Sequence, residues 1–346
     1  MTRAQRQSRY RIAVDAMGGD HAPEEIVRGA VEAAARGGIE VLLVGELEAI
    51  KEMLPSPAPT TLQVIPSQGV ITEAEHPLEA FRQKPRASIA VAAGLVKEGK
   101  AHAFVTMGST GAAMAAGVVA LGNLEGIDRP ALGGPFLGLA PKTTLLDLGT
   151  SIDCRPSQLL NYGVLGSVFA KVFLGIENPS VALLSVGAEE GKGNRQVREA
   201  YRLFSQSGLN FVGNVEGMDI PLGKVDVVVC DGFVGNVLMK FAEGLGMAVV
   251  EYIKARVPRG AEEMAGEMMR ELANLTNFVE HMGGGPLLGL NGVAIVGHGR
   301  SKASSVTAAI DMACTALERG LVEMMSQELT LVRRKVESAG RPGEID

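Results

Sequence analysis

The stretch Leu183–Asn194, LLSVGAEEGKGN, decides the fold. Residues 181–186 (VALLSV) form a short apolar run suited to a buried parallel strand. The chain then turns through Gly187, Gly191 and Gly193 before a polar helix begins near Arg195. Strand, glycine loop and helix in this order are the building unit of an α/β protein. Glycine lets backbone N–H groups point inward at positive φ, and a helix N-terminus carries partial positive charge, so such a loop can hold an oxyanion. Lys192 puts a full positive charge at its middle. The loop is not a Walker A motif: Gly187 and Gly191 stand one residue too close, and Gly193 sits where magnesium would require Ser or Thr. It reads either as a phosphate site without a nucleotide or as an ordinary turn with a surface lysine.

Working outward, the same order recurs. RIAVD (11–15) is a first strand. It runs into a turn at Gly18 and Gly19 and a helix that Pro23, Glu24 and Glu25 open. Asp15, Asp20 and His21 therefore lie at a strand's C-terminal edge, where open α/β sheets place ligands; Asp20 alternatively caps the helix. AHAFVTMGSTGAAMAAGVVALG (101–122) gives a strand to Thr106, then Gly108, Ser109, Thr110 and Gly111 at a helix start. Ser109 or Thr110 either caps that helix or offers hydroxyl and N–H to a ligand. VDVVVCDGFVGN (225–236) is another buried strand, ending at Asp231 and Asn236. The Asn236 amide suits a carbonyl oxygen that is becoming negative, or else caps a helix. Gly297–Lys302 joins the last strand to a helix. Alternation of this kind predicts a mostly parallel α/β protein, with a ligand cleft rimmed by loops around 15–21, 108–111, 187–194, 231–236 and 297–302.

Composition narrows the function classes. The 346 residues are 46% hydrophobic with 44 Gly and no Trp, which suits glycine-looped α/β architecture. A net charge of −6 and 4% aromatics argue against a general nucleic-acid binder. Cys154, Cys230 and Cys314 form neither a disulfide framework nor a CxxC metal pair, which points to a reducing cytoplasm. Cys154 precedes a helix entrance, as an activated thiolate would, but no histidine is near in sequence, and a buried thiol is the better reading. Arg82, Lys84 and Arg86 read as a solvated helix entrance or an anion site, and His76 and His102 as structural or surface groups. No apolar run approaches 18 residues, so the chain is expected to be soluble or to lie on a membrane. Residues 1–9 read as a disordered basic tail, 10–326 as a single α/β catalytic unit, 237–282 as a methionine-rich helical hairpin broken at Pro258–Gly260, and 327–346 as a polar tail.

DAMGGDHAP, LVKEGKAHAFVTMGSTGA, IDRPAL, DLGTSIDCRP, EEGKGN, GNVEGMDI, VDVVVCDGFVGN and GGGPLLG, in this order from about Arg11 to Val322, resemble the bacterial phosphate acyltransferase family of phospholipid synthesis. The resemblance implies a three-layer α/β/α fold, similar to phosphotransacetylases and isopropylmalate dehydrogenase-like proteins, with a protruding helical hairpin. It implies transfer of an acyl group from acyl-[acyl carrier protein] to inorganic phosphate. The product, acyl phosphate, would feed glycerol-3-phosphate acylation. No cofactor and no metal are implied. A homodimer, peripheral membrane association and a membrane glycerol-3-phosphate acyltransferase as partner are. On this reading Lys192, with Gly191 and Gly193, and the Ser109–Gly111 helix start hold phosphate; Asn194 and Asn236 position it or hold the oxyanion; Asp231 orients Lys192; and His298 protonates the departing sulfur. Ser109, Ala188, Gly191, Arg300 and Lys302 depart from the family's pattern. Two other readings stand beside it: a metal- and NAD-dependent 3-hydroxyacid dehydrogenase of similar fold, for which neither an aspartate cluster nor a nucleotide loop is found, and a non-catalytic scaffold that binds the carrier protein.

Overall fold

The computed structural model describes residues 10–258, 261–276, 278 and 282–339. In chain order the elements begin with β1 (Tyr10–Asp15), α1 (Glu24–Arg36), β2 (Ile39–Gly45), α2 (Leu47–Met53), β3 (Leu62–Pro66), α3 (Pro77–Gln83), α4 (Ser88–Lys97), β4 (Ala103–Thr106) and α5 (Thr110–Ala120). They continue with β5 (Ala131–Gly134), β6 (Thr144–Leu146), α6 (Pro156–Phe169), β7 (Val181–Leu184), α7 (Arg195–Ser207), β8 (Phe211–Val215) and β9 (Val227–Val229). The last are α8 (Gly232–Lys254), α9 (Glu262–Thr276), β10 (Gly285–Leu288), β11 (Val293–Val296), α10 (Ala303–Glu318) and α11 (Leu321–Ala339). Packing groups them into two compact units, one of Met1–Leu124 with Met282–Val322, the other of Glu125–His281 with Glu323–Asp346.

In the first unit the strands run in the order β3-β2-β1-β4-β11-β10, all parallel except β10, which is antiparallel to β11. Ile12, Ala13 and Val14 are buried, as a strand covered on both faces requires. Helix α1 turns Ile26, Val27, Ala30, Ala33 and Ala34 inward. At Gly29 a Cβ would lie 2.5 Å from the Ala303 carbonyl oxygen, so only glycine lets α1 approach α10 this closely. Glu25 accepts the Ala303 N–H at 2.7 Å, so a side chain of α1 satisfies the start of α10.

In the second unit the order is β5-β6-β9-β7-β8, parallel apart from β5 against β6. Helix α6 is buried along most of its length, with Tyr162, Val164, Leu165 and Phe169 inward. Helix α7 is amphipathic and buries Ala200 and Phe204. Helices α8 and α9 pack on one another, and the break expected near Pro258 falls between them, with Arg259 and Gly260 outside the described residues. By length and composition alone α8 could cross a membrane. Among its described residues only Gly232, Gly235 and Gly246 are buried.

The expected polar tail is corrected. Residues 327–339 belong to α11, whose Met325, Leu329 and Val332 form a buried stripe at helical spacing, and Glu328 pairs with Lys171 at 2.6 Å. Residues 1–9 and 340–346 lie outside the described residues.

Candidate active site

In the first unit, the loops after β1, β4 and β11 meet. Asp15 ends β1 fully buried; its Oδ2 accepts the Thr106 hydroxyl at 2.7 Å and its Oδ1 the Met17 N–H at 3.2 Å. Burial pushes the Asp15 carboxyl above the usual carboxylate range, against the hydrogen bonds that favour its charge. The Thr106 hydroxyl also accepts the Gly108 N–H at 3.0 Å. A Cβ on Gly18 would stand 2.7 Å from Asp15 Oδ2 and 2.9 Å from the Gly108 nitrogen, so the two loops touch through backbone. Gly19, at φ +106°, faces the Met107 and Gly299 carbonyls, and the Asp20 N–H donates to Gly299 at 2.8 Å. The Asp20 side chain does not cap α1, which begins after Pro23 without a side-chain cap, and the His21 carbonyl accepts the Glu25 N–H.

The Ser109 hydroxyl caps α5 by accepting the Ala112 N–H at 3.4 Å, leaving Thr110 exposed as the first helical residue, while Gly111 faces Pro77. His298 is half-buried; its Nδ1 accepts the Arg300 N–H at 3.4 Å, so the ring carries its proton on Nε2. Lys84 pairs with Glu75 at 2.6 Å and donates to the Val70 carbonyl, which makes it a loop clamp rather than a free anion-binding charge. His102 is structural: its Nδ1 accepts the Arg11 N–H at 2.9 Å.

In the second unit, the loops after β6, β9 and β7 are tied together. Lys192 is exposed and, among the described residues, makes no ion pair; its N–H closes a turn on the Glu189 carbonyl at 3.0 Å. Gly193 takes φ +103°, and a Cβ there would lie 2.9 Å from Ser185 Oγ. Gly191 faces open space. Asn194 caps α7 by accepting the Val197 N–H at 2.9 Å, and Gln196 fastens the helix start to the Cys154 carbonyl at 2.5 Å. Asp231 caps α8 through the Val234 N–H at 2.8 Å, and no bond joins it to Lys192 among the described residues. Asn236 is not a cap: it lies within α8 and donates to the Leu148 carbonyl at 3.4 Å.

A group that the sequence alone does not single out is Asp147. It is fully buried, with Oδ2 accepting from the Thr150 N–H, the Thr150 hydroxyl and the Ser151 N–H at 3.0, 2.7 and 2.8 Å, and Oδ1 accepting from Gly149 at 3.2 Å. Burial raises its carboxyl as it raises that of Asp15. The start of α8 rests on it: a Cβ on Gly232 would lie 2.7 Å from its Oδ2, and one on Gly235 only 1.8 Å from its carbonyl oxygen. The signal was present, since DLGTS repeats after β6 the aspartate-then-glycine turn that DAMGG makes after β1. Burial also raises the Cys154 and Cys230 thiols, so neither is an activated thiolate.

Residues 10–324 match the family described as fatty acid synthesis protein. The chain belongs to that family. It is 45% identical to the phosphate acyltransferase of Desulfitobacterium hafniense strain DSM 10664, over 92% of this chain and 97% of that one. To the phosphate acyltransferase of Thermosynechococcus vestitus it is 44% identical, over 92% and 95%. Among solved structures it resembles a phosphotransacetylase from Streptococcus pyogenes, with TM-score 0.61, 20% identity and coverage of 89% and 94%. It also resembles a branched-chain phosphotransacylase from Enterococcus faecalis, with TM-score 0.53, 14% identity and coverage of 90% and 99%. Those likenesses concern fold, and they bear out the phosphotransacetylase-like α/β architecture expected from the sequence.

Proposed function

We propose that this chain, a phosphate acyltransferase of fatty acid and phospholipid synthesis, moves the acyl group of acyl-[acyl carrier protein] onto inorganic phosphate. A phosphate oxygen attacks the thioester carbonyl, the C–S bond breaks, and the products are acyl phosphate and the carrier protein's thiol. Phosphate is already anionic near neutral pH and a thiol leaves readily, with an unperturbed pKa of about 8.5, so neither a strong base nor a catalytic triad is required. What remains is to hold phosphate about 3 Å from the carbonyl, screen its charge and stabilise the oxyanion.

The observation that carries this reading is Lys192, exposed and without an ion-pair partner among the described residues, in a glycine loop that leads into the N-terminus of α7. Lys192 and the α7 amides take phosphate and Asn236 serves the oxyanion, and the proton that phosphate gives up ends on the departing sulfur. In the first unit, His298 through its Nε2–H as a hydrogen-bond donor, the Ser109–Gly111 helix start and the Asp15–His21 loop are read as substrate-binding groups. Asn194 and Asp231 act by holding α7 and α8. The test is incubation with an acyl carrier protein thioester, with and without phosphate, and detection of acyl phosphate by mass. Lys192→Ala should lower its formation about 100-fold or more with the fold intact, the loss typical of removing a preorganised charge from an oxyanion site. Near-normal turnover would remove Lys192 from the mechanism, and thiol release without acyl phosphate would refute the reaction.

The product then feeds glycerol-3-phosphate acylation by a membrane acyltransferase. Phe241, Leu245, Met247 and Tyr252 are exposed along α8 and support a homodimer or peripheral membrane contact for a cytoplasmic chain. Sizing by light scattering and vesicle flotation separate the two.

A further inference from the structure

Beneath the Lys192 loop lies Asn214 on β8, only 7% exposed. Its Nδ2 donates at 2.9 Å to the Glu189 carbonyl, the same oxygen that accepts the Lys192 N–H at 3.0 Å. One carbonyl, with two lone pairs, thus joins a buried strand residue to the turn that presents Lys192. The amide cannot be reversed, because its oxygen would then face the Glu189 oxygen.

Two further observations say that this contact is built. Asn214 Oδ1 is buried and, among the described residues, finds no hydrogen-bond partner, so packing of the core alone does not call for an asparagine here. The strand is also irregular. Phe211 pairs with Val181 but Gly213 with Ala182, leaving Val212 as an extra residue beside Gly213 at φ +99°. Counted from Phe211, removing that residue would send Asn214 to the opposite face of the sheet, and a bulge is the usual device for re-aiming a side chain.

We propose that Asn214 is a positioning residue for the acyl transfer, tethering the Glu189–Lys192 turn so that Lys192 meets phosphate in one place; this rests on the role given above to Lys192. Asn214→Leu keeps the volume and removes the donor. It should fold with an unchanged or higher melting temperature and raise the KM for phosphate about tenfold, the equivalent of one lost hydrogen bond, while the KM for the acyl thioester stays near wild type. In a Lys192→Ala background it should add no further loss. An unchanged phosphate KM, or an equal loss in both backgrounds, would overturn the inference while leaving Lys192 in place. Near-normal turnover of Lys192→Ala alone would instead remove the reading on which it stands. Amide exchange of the wild-type chain gives a check that needs no variant: the Lys192 N–H should be protected, and exchange at the rate of a free loop would overturn the tether.

Discussion

Replacing Gly235 by alanine sets a methyl group against backbone at the point where α8 rests on the end of β6. The new Cβ would lie 1.8 Å from the Asp147 carbonyl oxygen and 3.2 Å from Cys230 Sγ. Carbon and carbonyl oxygen come to rest at about 3.3 Å, so helix or loop must retreat by about 1.5 Å. Neither is a flexible side chain that can swing aside. For a contact this close to backbone, overpacking costs about 3 kcal/mol, the upper end of its usual range, and alanine's better helix propensity returns about 1 kcal/mol, so the net loss is about 2 kcal/mol. For a compact unit of this size that lowers the melting temperature by about 4–8 °C. The same retreat carries Asn236 away from the Leu148 carbonyl, now 3.4 Å distant, so acyl phosphate formation should fall further than the stability loss explains. The control is Gly94→Ala in α4, where a Cβ meets nothing within 4 Å. There the propensity gain stands alone, about 1 kcal/mol and about 2–4 °C upward. Thermal unfolding of both variants beside an activity assay decides the matter. If Gly235→Ala melts no lower than wild type, the close approach of α8 to Asp147 is wrong.

Burial raises the folded-state pKa of Asp15, so its stabilising contribution is complete below the unfolded value and is lost as pH rises through the folded one. Asp15→Asn should therefore flatten the fall in melting temperature over that rise, and a slope equal to wild type would refute the assignment. The Cys314 thiol is pushed up to about 12 by burial and then by Asp311 and Glu318, and burial raises Cys154 and Cys230, so iodoacetamide at pH 8 should label the native chain far more slowly than the unfolded one. Rapid labelling of Cys154, read by mass, would restore it as a candidate nucleophile. Asn194→Asp keeps a cap of equal quality on α7 but adds negative charge beside the proposed phosphate. Melting should stay within about 2 °C while phosphate KM rises about tenfold; an unchanged KM would place phosphate elsewhere.

The alternating architecture was legible because buried parallel strands are written as short apolar runs, RIAVD, VALL and VVV, each followed within a few residues by glycine, and the last two by a capping side chain as well. The caps themselves were half legible: at Ser109 the sequence left cap and ligand group open, whereas Asn194 and Asp231 stood out only as site residues and Asn236 was the cap offered for α8; Ser109, Asn194 and Asp231 are the residues that cap. Asp147 was harder. Apart from the Thr150 hydroxyl, the donors that enclose it are backbone groups of its own next turn, with Leu132 on a neighbouring strand, and backbone donors leave no mark on side-chain chemistry. The bulge at Val212 was invisible because FVGNV reads as unbroken strand, and only the partner register exposes the extra residue. Helix α11 was mistaken for a tail because Arg333, Arg334 and Lys335 dominate its composition, whereas its fold depends on a few apolar residues recurring near one per turn.

Capping and catalysis are not rival duties for these side chains, and the sign of the cap separates them. A cap satisfies the one amide it bonds, while the helix N-terminus keeps its partial positive charge. Asp231 places a carboxylate at the start of α8, which offsets that charge and makes the site poor for an anion. Asn194 caps α7 with a neutral amide, leaves the positive end intact, and stands two residues from Lys192. Of these two helix starts, only α7 therefore suits phosphate. The α8 start instead holds a helix whose early residue Asn236 is aimed by contact with the loop after β6. Asp15 and Asp147 fit the same logic: buried carboxyls enclosed by donors are frames for turns, and a reaction between an anionic nucleophile and a good leaving group asks for such frames more than for another base.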